Sequence, residues 1–141
     1  MGNSIEWLIT KTRYLAGLQC LRRLWREVNE SGESPEVDPA TRFRMEMGRK
    51  VGRVACQMFS DGIAVHHGNG FDQHLQESRE LLKRRKPLFE AGFLCKNTYA
   101  RTDILLPGGK GGCDLVEVKS STAVREDHLH DVSFQRYVCE Q

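Results

Sequence analysis

Asp103, Glu117 and Lys119 stand inside runs, "RTDILL" and "CDLVEVKS", that otherwise read as buried strands. Two carboxylates in such a setting have a chemical use if they share a cation. Mg²⁺ takes one or two carboxylates, keeps several waters and completes its octahedron with substrate phosphate oxygens. An ammonium group beside the ion would orient or help deprotonate the attacking water and stabilise charge developing on the phosphoryl group. The three residue types together therefore point to metal-assisted hydrolysis of a phosphate ester. The plainer alternative is an exposed sheet face on which Asp103 makes a weak surface ion pair with Lys119 or Arg101.

A hairpin must bring these residues together. With its turn centred near Lys110 in "PGGKGG", antiparallel pairing sets Asp103 opposite Glu117, Ile104 opposite Val116 and Leu106 opposite Asp114. Side chains alternate along a strand, so Ile104, Val116 and Val118 share one face while Asp103, Glu117 and Lys119 share the other. A slip of one residue would mix polar and apolar groups on both faces, so the hydrophobic pattern favours this register. Directly opposed acids repel, and a divalent cation offsets that repulsion. Glu90 alternates with Phe89, Ala91 and Phe93, which makes it a candidate auxiliary acid on the carboxylate side.

The wider chain supplies the supports. Tyr14, Leu18, Leu21, Trp25 and Val28 recur at helical spacing over 11–28, and Arg13, Arg22, Arg23 and Arg26 lie opposite them. Asp38 before Pro39 reads as the N-cap of a second helix reaching about Phe59, with Phe43, Met47, Val51, Val54 and Met58 as its apolar stripe. A short strand at 63–65, a turn at "HHGNG" and a third helix ending before Pro87 follow. The period then becomes alternating in "LFEAGFLC", "TYARTDILL" and "CDLVEVKS", a three-stranded antiparallel meander, before "REDHLHDVSFQRYVCE" returns to helical spacing. The expected class is α+β in a single domain, with a helical part over 1–60 and a core over 87–141. Because the order ends on a helix with no further strand, the expected native chain is longer, with its last core strand beyond Gln141.

"RTDIL", a Gly-rich turn, "LVEVKSST" and a helix bearing "DVSFQRY" resemble the core motif of the PD-(D/E)XK nuclease superfamily, specifically its RecB-like branch. "YLAGLQCLRRLW" and "GRKVGRVACQMF" are similar to largely uncharacterised bacterial proteins of that branch, and more distantly to CRISPR-associated iron-sulfur exonucleases. The resemblance implies a restriction-endonuclease-like α/β core and Mg²⁺- or Mn²⁺-dependent cleavage of DNA, with RNA as the alternative polymer. It implies Asp103, Glu117 and the main-chain carbonyl of Val118 as metal ligands, Lys119 and Gln135 as catalytic partners, and Tyr137 as a helical auxiliary. Many members carry a metal-binding His at the end of a G-x-x-x-H step in an early helix, but here the residue four after Gly48 is Gly52. The rival reading is a catalytically decayed nucleic-acid-binding module on the same fold. Cys20 matches the early cysteine of the iron-sulfur relatives, and a cluster would require further cysteines in a longer chain.

A net charge of +2 is too small to imply a nucleic-acid partner by itself. The distribution says more: Arg42, Arg49 and Arg53 line one helix face, Arg22 and Arg23 another, and Lys83 to Lys86 form a run. The first two groups are candidate phosphate contacts. Five scattered cysteines without a CxxC pair, no apolar run long enough to span a bilayer, and no secretory layout at the start set the expectation of a cytoplasmic protein with no membrane contact. His128 and His130 would diverge on a helix, which argues against a zinc pair.

Overall fold

In the computed structural model the described residues are 8–30, 37–66, 68 and 70–140. The architecture is α+β, with five helices and two mixed sheets. The chain divides into two compact units, and each is described by itself. The N-terminal residues before Leu8, most of the loop expected before Val37, and His67 and Asn69 of the expected turn lie outside the described residues. No helix among the described residues is long and apolar enough to cross a membrane.

The first unit draws on residues within 8–30, 93–100 and 124–140. Its elements are β1 (Ile9–Thr10), α1 (Lys11–Gln19), α2 (Leu21–Asn29), most of β4 (Gly92–Cys95) and β5 (Thr98–Arg101), and α5 (Glu126–Cys139). The strands run in the order β1-β5-β4, and β1 is parallel to β5, so the segment expected to be wholly helical also supplies a strand. The single helix expected over 11–28 is two helices, because Cys20 adopts an extended backbone between them. The absence of a Cβ at Gly17 lets Leu24 pack closely: a methyl there would lie 3.2 Å from Leu24 Cδ2. The break takes Leu18, Leu21 and Trp25 out of one buried stripe and leaves them exposed. The core is Cys95, Ala100, Phe134 and Val138, flanked by Tyr14 and Phe93, with the Tyr14 and Phe134 rings stacked 4.8 Å apart. On α5 the buried residues are Asp131, Phe134, Gln135 and Val138, whereas Leu129 is exposed.

The second unit draws on 37–92 and 101–123. It contains α3 (Pro39–Gln57), β2 (Ile63–Ala64), α4 (Phe71–Leu82), β3 (Leu88–Phe89), β6 (Ile104–Pro107) and β7 (Cys113–Val116). Helix α3 begins as its sequence predicts: the Asp38 carboxylate accepts from the Ala40 and Thr41 amides at 3.0 Å each, and Pro39 occupies the first turn, where its missing N–H costs no helical bond. Its expected apolar stripe is not a core face, because Phe43, Val54 and Met58 are exposed. The strand order is β2-β3-β6-β7, with β2 parallel to β3 and the remaining pairs antiparallel. Leu88, Ala91, Ile104 and Leu105 are buried, and the Phe89 ring lies where Gly62 leaves no room for a side chain.

The three runs expected as one antiparallel meander are divided between the two sheets, and each of the first two is broken in two. Glu90 takes a left-handed φ of 59° after β3, and Thr102 and Asp103 separate β5 from β6. The Thr102 amide donates to Ala91 O at 2.9 Å and the Glu90 amide to Asp103 O at 3.1 Å, so the second unit's backbone remains hydrogen-bonded past the end of the β3–β6 pair. Irregularities of this kind bend a ribbon and re-aim the side chains beside them.

Candidate active site

The β6–β7 ladder pairs Ile104 with Val116, Leu105 with Leu115, Leu106 with Asp114 and Pro107 with Cys113, the register expected from the hydrophobic alternation. The ladder ends there, and Asp103 and Glu117 lie just outside the two strands, Asp103 one residue before β6 and Glu117 one residue after β7. Asp103 Oδ2 accepts a hydrogen bond from the Val118 amide at 2.8 Å, which ties the first acid to the backbone between Glu117 and Lys119. Lys119 Nζ lies 2.6 Å from Glu117 Oε1, as same-side placement of residues two apart on a strand allows. The Glu117 side chain is only 4% exposed and that of Lys119 33%, so a largely covered carboxylate meets a partly hydrated ammonium.

The β3–β6 ladder pairs Phe89 with Ile104, so its next step sets Glu90 beside Asp103. Glu90 and Asp103 are backbone neighbours, the Glu90 amide donating to Asp103 O at 3.1 Å, and Glu117 lies one residue past the end of β7. Glu90 does not act as a bare acid, because its Oε2 lies 2.8 Å from Arg101 Nε in an exposed ion pair. Helix α3 adds a second wall. Cys56 is held above the ordinary thiol range by burial and, next, by the negative charges of Glu90 and Asp103, which places both acids within electrostatic reach of its sulfur. A Cβ built on Gly48 would lie 4.0 Å from Ser120 Oγ, just beyond Lys119. Gly48, Gly52 and Cys56 recur every four residues along one face of α3, and a Cβ on Gly52 would meet nothing within 4 Å.

Among the described residues no three His, Cys, Asp or Glu side chains are grouped closely enough to hold an ion by themselves. The donors at the hairpin end are two carboxylates with main-chain oxygens nearby. Hard oxygen donors of this kind suit Mg²⁺ or Mn²⁺, which retain waters, rather than a soft or fully caged ion.

The remaining expected residues are dispersed. Gln135 belongs to the first unit and is fully buried, donating from Nε2 to Asp131 Oδ1 at 2.7 Å. Asp131 also pairs with Lys11 at 3.5 Å. This buried pair is not evident in the periodicity, although Asp131 and Gln135 stand four apart, the spacing at which helical side chains meet. Tyr137, the helical auxiliary implied by the resemblance, is exposed on α5. Arg22 and Arg23 lie on α2, where Arg23 bonds Gln19 and lies 3.9 Å from Glu27. Arg42, Arg49 and Arg53 are exposed on α3 in the second unit. Cys20 is exposed at the break between α1 and α2, and none of the five cysteines is in a disulfide. Compared with models of known families, with curated proteins and with solved structures, the chain matches none.

Proposed function

We propose that the chain carries the core of a metal-dependent nuclease that hydrolyses DNA phosphodiester bonds on a restriction-endonuclease-like scaffold of the RecB-like kind. The observation that supports this reading best is the hairpin end, where Asp103 accepts from the Val118 amide and the Lys119 ammonium lies against the Glu117 carboxylate. Asp103, Glu117 and the Val118 carbonyl would hold Mg²⁺ or Mn²⁺. When bound, the ion would polarise the phosphoryl oxygens and acidify its own water.

The protein's own groups account for the rest. The Val118 amide fixes the direction of the Asp103 carboxylate, a preorganisation that requires no rearrangement during the reaction. Lys119 balances the charge of Glu117 and presents N–H donors that can orient an attacking water and meet charge developing on phosphate. Arg42, Arg49 and Arg53 add sequence-independent phosphate contacts. Gln135 is assigned an assisting role by motif resemblance alone.

The test is cleavage of labelled DNA by the full-length protein with Mg²⁺ or Mn²⁺. Asp103→Ala and Lys119→Ala should each lower the rate by at least about 10²–10³-fold, the scale for losing one preorganised charge-stabilising group. Retained cleavage by either variant rejects the assignment. The second reading, a non-catalytic nucleic-acid-binding module, is favoured by the open space at Gly52, where related nucleases place a ligand. It predicts DNA binding that is indifferent to Mg²⁺, with no cleavage at any metal concentration.

A further inference from the structure

The basic run at Lys83 to Lys86 has no part in the hairpin chemistry, yet it does not trail off into solvent by itself. Helix α4 ends at Leu82, and the chain leaves it through Arg85, whose φ of 53° lies in the left-handed region. The Arg85 guanidinium reaches across to the Gly-rich turn between β6 and β7. Its Nη1 donates to Gly111 O at 3.0 Å and Gly112 O at 2.9 Å, and its Nη2 to Gly108 O at 2.6 Å. Five rigid donors in a planar fork suit such a multiple grip.

The same turn carries Lys110, also with a φ of 53°. Glycine adopts that conformation without steric penalty, and four of the six residues of "PGGKGG" are glycines. A lysine is nevertheless held there, in a backbone state that is unfavourable for it. The Arg85 clamp thus ties the turn that carries Lys110 to the segment that carries Arg84 and Lys86. All four basic residues are exposed, and Arg84, Lys86 and Lys110 have no acidic partner among the described residues, whereas Lys83 is paired with Glu80.

We infer that Arg84, Lys86 and Lys110, held together by Arg85, form a phosphate-binding surface for the nucleic-acid backbone, at the opposite end of the β6–β7 ribbon from the carboxylates. The inference rests on the nuclease reading for its choice of polyanion. Four residues at about 3.3–3.4 Å each separate Asp103 from Pro107 along the chain, roughly 13 Å in all. Bases rise about 3.4 Å per nucleotide along one strand, so a strand engaged at the acids meets this surface about four nucleotides or more away. Guanidinium and ammonium groups here would position the backbone without reading sequence.

The experiment is fluorescence anisotropy of a labelled 20-base-pair DNA duplex with the 141-residue chain, in EDTA, from 50 to 200 mM KCl. The triple variant Arg84→Ala, Lys86→Ala, Lys110→Asn removes the three charges and keeps a residue that tolerates left-handed backbone at 110. The slope of log K against log salt should fall in magnitude by about 2–3, since each phosphate contact contributes roughly 0.9. Affinity at 50 mM KCl should drop by about tenfold or more, equally for unrelated duplex sequences. Unchanged slope and affinity, or a loss confined to one sequence, overturns the inference. Arg85→Ala, which leaves all three unpaired cations in place, should lose part of the same affinity; parent-like binding would overturn its positioning role. Because EDTA removes cleavage from the readout, the two readings fail separately. A parent chain that binds through this surface without ever cutting in Mg²⁺ or Mn²⁺ would refute the nuclease and leave the surface standing.

Discussion

Each unit contains one covered carboxylate facing one partly hydrated lysine, and the two pairs look alike. Asp131 and Lys11 in the first unit have side-chain exposures of 2% and 31%; Glu117 and Lys119 in the second have 4% and 33%. Their surroundings differ. Asp131 shares its helix face with Phe134, Gln135 and Val138, and the Gln135 amide donates to it, so that acid is locked into a packed core. Glu117 lies at the end of a ribbon, one residue past β7, beside Val118, whose amide donates to a second acid, Asp103. The same ion-pair chemistry thus serves packing in one unit and lies beside a second acid in the other.

The largest expected effect tests that contrast directly. Lys11→Met and Lys119→Met each leave a covered carboxylate without its cation and should each cost about 3 kcal/mol, toward the lower end for orphaning a buried charge because both lysines are a third exposed. Millimolar Mg²⁺ should restore much of the loss in Lys119→Met and none in Lys11→Met, read as shifts in urea midpoint. Equal rescue of both variants would erase the distinction.

A smaller effect sharpens the second half of the comparison. Glu90 and Asp103 add to burial in raising the Cys56 thiol pKa, so at pH 8 less of it is thiolate than in an ordinary cysteine. Asp103→Asn and Glu90→Gln should each lower that pKa and speed alkylation of Cys56 a few-fold, followed by site-resolved mass spectrometry. No change in either variant would place the acids away from α3.

The smallest effect compares two helical glycines. Gly52→Ala should stabilise the protein by about 0.5–1 kcal/mol, because a methyl there meets nothing within 4 Å and glycine disfavours helix interiors. Gly17→Ala should gain less, since its methyl presses on Leu24 at 3.2 Å. Thermal unfolding distinguishes the two.

Much of the second unit is legible in the amino-acid sequence because local rules decide it. Alternation determines the register of Ile104 with Val116, since a one-residue slip would exchange the faces of every side chain. The Asp38–Pro39 pair sets the start of α3 through backbone donors that lie within three residues. Tertiary structure alone decided the break at Cys20, the burial of Asp131 and Gln135, the kink at Glu90, and the reach of Arg85 to Gly112, 27 residues away. Periodicity reports which face of an element is apolar. It carries no information on which distant backbone or charge will meet that face, and that partner determines whether a polar side chain is buried, bent toward a neighbour or left in water.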